Sequence, residues 1–97
     1  MYSYLEGTLA EKTPTQVVLD VGGVGYEIFI PLSTYSQLPE KGEKILLQTH
    51  VYIREDAHQI FGFFTSEERN LFRLLISVSG IGPKLGLTAL SGLALED

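Results

Sequence analysis

The residues best suited to chemistry are Ser79-Gly80-Ile81-Gly82-Pro83-Lys84, a Gly-x-Gly turn between two stretches of helical periodicity with a lysine in the first turn of the second. Glycines at such a turn let backbone N–H groups approach a phosphate with no Cβ in the way. The helix start that follows adds partial positive charge, and Lys84 adds a full one. Contacts of this kind grip a sugar-phosphate backbone whatever its base sequence. The same residues also suit a plain glycine turn between packed helices, and Pro83 with Lys84 shifts the balance toward an anion site. Neither a Walker A loop nor a Gly-x-Gly-x-x-Gly dinucleotide loop is matched here, which argues against nucleotide binding.

A second constellation is Arg54-Glu55-Asp56-Ala57, where two adjacent carboxylates fall between the last two strands. Such a pair is ordinarily a solvated turn. Two fixed negative charges also repel an approaching phosphate, by about 1 kcal/mol per close pair in water and more where water is displaced. Acid–base catalysis or Mg²⁺ binding is not expected, because strand neighbours face opposite ways and no histidine, serine or third carboxylate evidently joins them. The two histidines, His50 and His58, have no cysteine to complete a zinc site, so neither metal nor cofactor is expected. Tyr2, Tyr4, Tyr26, Tyr35, Tyr52, Phe61, Phe63 and Phe64 could stack on bases, but their alternation with aliphatics reads more readily as core.

These residues need elements to hold them. Period-two patterning gives strands over Tyr4–Lys12, Gln16–Val21, Tyr26–Ile30, Lys44–Ile53 and His58–Phe63, with Gly22-Gly23-Val24-Gly25 as a tight turn. Leu32–Leu38 suits one short helical turn. Five short strands with a helical connection after the third fit the partly open OB-fold barrel. After Phe64 the period becomes helical: Leu71, Phe72, Leu74, Leu75 and Val78 share a face, and Thr65 with Glu68 matches a capping box. A second helix starts at Pro83 and is expected to stop at Gly92, with Leu93–Asp97 opening another element. The expected fold class is therefore mainly β with a helical extension: a five-stranded OB-fold barrel over 1–63, then a first helix-hairpin-helix and the start of a helical domain over 64–97.

The net charge of −5 over 97 residues disfavours DNA when taken alone. Its distribution tempers that, since most of the excess acid lies in residues 1–62 and no acid falls between Arg69 and Ser91. No cysteine, secretory signal or membrane-length apolar run is present, which suits a cytoplasmic protein.

Val21-Gly22-Gly23-Val24-Gly25-Tyr26-Glu27, Arg54-Glu55-Asp56-Ala57, Phe61-Gly62-Phe63 and Gly80-Ile81-Gly82-Pro83-Lys84, in this order and spacing, resemble the RuvA family from Met1 to about Gly92. The resemblance implies a non-enzymatic subunit that holds four-way (Holliday) junction DNA as a homotetramer in recombination and repair. The ATPase would be a separate partner, the helicase RuvB, and the resolvase RuvC a further possible partner. It also implies that Glu55 and Asp56 form an acidic pin at the junction centre, and that Gly80, Ile81, Gly82 and Lys84 form the first phosphate-binding hairpin. Family chains continue past the position of Asp97 with a second hairpin and a RuvB-contacting domain. The chain is accordingly expected to be a fragment with reduced junction affinity. The rival expectation is a structural oligomerisation module that needs further residues to bind DNA.

Overall fold

The computed structural model describes residues 2–78 and 80–96, the last four of these by backbone alone. Five strands, β1 (Tyr4–Lys12), β2 (Gln16–Val21), β3 (Val24–Phe29), β4 (Lys44–Arg54) and β5 (Ala57–Phe63), close into a barrel of order β1-β2-β3-β5-β4. β1 serves two neighbours, pairing with β4 through Tyr4–Thr8 and with β2 through Thr8–Lys12. A register shift between Leu9 and Glu11 bends it from one to the other. A short parallel contact, Ile28 with Ile60 and Phe29 with Phe61, closes the ring. Alternate residues point inward, so Leu5, Leu9, Val17, Leu19, Ile28, Ile30, Ile45 and Leu47 make one buried core. This is the OB-fold architecture, followed by a helical extension.

The β2–β3 turn is tighter than the four-residue glycine run suggests. Only Gly22 and Gly23 form it, at φ 61° and 92°, and Val24 and Gly25 already belong to β3. Paired positive φ angles match the right-handed twist of the flanking strands, and Asp20 Oδ1 accepts the Gly23 N–H at 2.8 Å.

Between β3 and β4 lies α1 (Leu32–Tyr35), and after the barrel come α2 (Ser66–Ser77) and α3 (Pro83–Glu96). Thr65 caps α2 by accepting the Glu68 N–H at 3.2 Å. The reciprocal half of the capping box does not form, because the Glu68 carboxylate is turned to the Ser33 and Thr34 hydroxyls of α1. The expected stop at Gly92 is also corrected: α3 continues through it to Glu96, and no new element opens at Leu93. Gly92 keeps a helical φ, and the cost of about 1 kcal/mol for a mid-helix glycine is offset by the anchoring of the preceding turn, where Leu90 is buried and Ser91 is hydrogen-bonded.

A second core joins the helices to the barrel. Phe72 of α2 is fully buried, with its ring centroid 4.9 Å from Phe63 and 5.3 Å from Phe61, and Leu90 of α3 completes the cluster. Gly86 lets α3 approach this ring closely, since a Cβ there would stand 3.1 Å from Phe72 Cε1 and 3.0 Å from Ile76 Cγ2. Replacing Phe72 by alanine removes the contact shared by barrel, α2 and α3. Urea titration is expected to show a loss of about 3–5 kcal/mol.

Candidate nucleic-acid interface

The hairpin between α2 and α3 is built around Gly80, whose φ of 89° lies where a side chain is strained. The Ile81 N–H folds back to the Val78 carbonyl at 3.2 Å, and Gly86 N–H donates to the Gly82 carbonyl at 2.9 Å as α3 gets under way. Gly82 is exposed, and a Cβ placed on it would meet nothing within 4 Å. Packing thus does not call for a glycine at 82, whereas approach by an external group would benefit from one. Pro83 opens α3 where its missing N–H costs nothing, and the first turn directs its unpaired N–H groups outward. Lys84 is exposed in that turn and lines an open groove of about 500 Å³ whose opposite wall includes Pro14 and Thr15 of the β1–β2 loop. Ser79 lies outside the described residues.

Glu55 and Asp56 form a two-residue tip between Arg54 and Ala57, the last pair of the β4–β5 ladder, and both are exposed. Neither adopts a positive φ. The Arg54 guanidinium sits over the Tyr52 ring at 5.3 Å, so a cation is held on the strand beside the acids.

The relation between hairpin and tip follows from how α2 lies on the barrel. Arg69 donates to the Gln48 side chain at 3.1 Å and to the Ser3 carbonyl at 2.9 Å, while one turn later Arg73 donates to His50 Nδ1 at 3.2 Å. Four residues of helix advance about 6 Å and two of strand about 6.6 Å, so α2 runs in step with β4. Its exit into the hairpin is carried toward the end of the barrel where Glu55 and Asp56 lie. The tip stands roughly 17 Å along β4 from His50.

Two arginines that lighten the local charge on paper are therefore engaged with the barrel. Among the described residues this leaves Lys84 as the cation at the hairpin itself. Sequence reasoning missed these bonds because they join residues 21 to 66 positions apart. Of the aromatics, Phe61 and Phe63 are core, whereas Tyr2 and Tyr4 are exposed. Among the described residues no cluster of three metal-ligating side chains occurs, and no helix is long and apolar enough to cross a membrane.

A closed five-stranded barrel that delivers its last strand into two helices joined by a glycine hairpin defines an OB-fold protein with a helical extension. Comparison with known proteins narrows this class. The family described as RuvA N terminal domain matches residues 1–62. Curated relatives match all 97 residues: 54% identical in Methylibium petroleiphilum, 53% in Coxiella burnetii and 50% in Pseudomonas syringae, each named Holliday junction branch migration complex subunit RuvA. The chain covers 50%, 48% and 48% of those proteins, about half their length. It belongs to the RuvA family.

His50 is the titratable group whose environment bears on the site's support. Partial burial, then the nearby charges of Arg73 and Arg69, hold its pKa below the ordinary 6.5. The unfolded chain therefore binds this proton at a higher pH than the folded one, so the stability it contributes is complete above 6.5 and declines as pH falls below it. Urea unfolding between about pH 7 and pH 5 is expected to show this decline, and His50→Gln to flatten it.

Proposed function

We propose that this chain is a non-enzymatic recognition unit for four-way DNA junctions, with residues 1–63 as the barrel domain and 64–97 as the start of a helical domain. In this reading the hairpin Gly80-Ile81-Gly82, with Lys84, holds a backbone phosphate, and Glu55 and Asp56 stand as a negatively charged pin at the crossover. Attraction along an arm and repulsion at the centre together favour a junction over linear duplex. The observation that carries the reading is the hairpin: a left-handed Gly80, an unobstructed Gly82 and an exposed Lys84 at the start of a 14-residue helix, on the turn that α2 carries toward the acidic end of the barrel. The name shared by the relatives supports it.

The same reading places the chain in a cytoplasmic branch-migration assembly serving recombination and repair, including the damage-induced SOS response. It works there as a homotetramer with the ATP-driven RuvB as motor, and the resolvase RuvC is a further partner. An assembly role is the second reading, favoured by the exposure of Leu74, Val78 and Leu85 around the hairpin. Light scattering with and without junction DNA separates assembly from recognition.

Fluorescence anisotropy at stated salt, on a four-way junction and a duplex of matched arm length, tests the proposal. Lys84→Ala is expected to weaken binding to both and to lower the salt slope by about one. The double variant Glu55→Gln, Asp56→Asn should tighten duplex binding and narrow the junction preference. Gly82→Ala should weaken binding while leaving the melting temperature unchanged, since nothing in the fold opposes the added methyl. Equal affinity for junction and duplex, or indifference to Lys84→Ala, would overturn the reading.

A further inference from the structure

The short helix α1 is where the hairpin's two helices are tied to the barrel. Its N-cap residue is Pro31, which makes no side-chain capping bond. The cap comes instead from α3: the Leu32 N–H donates to Ser91 Oγ at 3.0 Å, and that hydroxyl donates onward to the Leu87 carbonyl at 2.9 Å. From the other side Glu68 of α2 accepts from the Ser33 and Thr34 hydroxyls. Thr34 is fully buried, and its oxygen accepts the Phe64 N–H at 3.1 Å, at the point where the chain leaves β5. Both helices that flank the hairpin are thus hydrogen-bonded, 59 and 34–35 residues apart in sequence, to one four-residue turn of the barrel.

We infer that Glu68 and Ser91 are positioning residues that hold the phosphate-binding hairpin at a fixed distance and angle from the Glu55–Asp56 tip, and so set junction preference without touching DNA. This rests on the junction reading above. The apolar contact through Phe72 presses the helices onto the barrel, but aromatic packing is weakly directional beside a hydrogen bond. Three such bonds on α1, reached from two different helices, join the Arg69 and Arg73 bonds of α2 in restraining the rocking motion that the aromatic contact allows, and the Ser91 bond is the one made by α3. A recognition surface split between two elements discriminates by shape only while their separation is fixed.

The chain has no cysteine, so His58→Cys and Thr88→Cys introduce a unique pair of spin labels, one beside the tip and one on α3. Pulsed electron resonance is expected to give a narrow distance distribution in this background and a broad one when Ser91→Ala and Glu68→Ala are added. The same two substitutions, in the chain without labels, should lower the junction-to-duplex affinity ratio on the order of five-fold while duplex affinity holds. Ser91→Thr, which keeps the hydroxyl, should retain both the narrow distribution and the ratio. Near-ultraviolet circular dichroism from the tyrosines reports that the barrel is intact, and Glu68→Gln replaces Glu68→Ala if it is not. An unchanged distribution, or a broadened one with an unchanged ratio, overturns the inference. A parent chain that binds no DNA overturns the junction reading instead, and the spin-label distances, which need no DNA, still decide the positioning.

Discussion

Burial of Phe72 against Phe61 and Phe63 is the contact on which the arrangement of this protein depends. A barrel of this size keeps its interior for its own strands, and its aliphatic core has no place for a helix. What it offers is the outer surface of β4 and β5, where aromatic side chains stand out from the sheet. A phenylalanine on one face of α2 fills that surface, and it does so about two turns after the Thr65 cap has fixed where the helix begins. Because α2 and β4 advance at nearly the same rate per contact, the polar bonds of Arg69 and Arg73 can follow the same line without strain. α3 then packs over the ring through Gly86, and the hairpin's place is set by where two helices meet one phenylalanine.

The polar contacts around this anchor supply direction more than energy. A buried ring tolerates rotation, whereas a hydroxyl caught between donor and acceptor does not. Thr34 shows the principle: buried without charge, it is bonded to the chain just after β5 and to the third helical residue of α2. Thr49 does the same on the other side, with its hydroxyl on the Tyr2 carbonyl at 2.6 Å. Each would be a liability in the core if unpaired, and each instead ties a chain segment to the barrel.

Much of this was legible in the sequence. The five strands follow from period-two patterning, the Gly22-Gly23 turn from its need for positive φ, and the start of α2 from Thr65. These are local signals, decided within a few residues. The misreadings share a cause. Gly92 reads as a stop because its neighbours alone do not reveal that Leu90 will be buried and Ser91 bonded to Leu32. Glu68 reads as a capping-box partner because Thr65 is close in sequence, yet the Ser33 and Thr34 hydroxyls are closer in space. Arg69 and Arg73 enter the sequence only as charges bordering an acid-free stretch, which shows no sign of the carbonyls and ring nitrogen they will meet. In each instance a long-range hydrogen bond outweighed a local preference.

That reassignment of arginines changes how a chain of net charge −5 can meet a polyanion. Were the acid-free stretch a diffuse positive patch, affinity would grow with every phosphate in reach and shape would count for little. With Arg69 and Arg73 committed to the barrel, what remains at the hairpin is one lysine and the oriented amides of a helix start, whose field fades within a turn. On the proposed reading, a weak, short-ranged grip set against an acidic barrel would hold only a phosphate presented at the right place. The charge that first argued against DNA is therefore what would make such a grip depend on the shape of its partner, provided that the helices carrying it do not move.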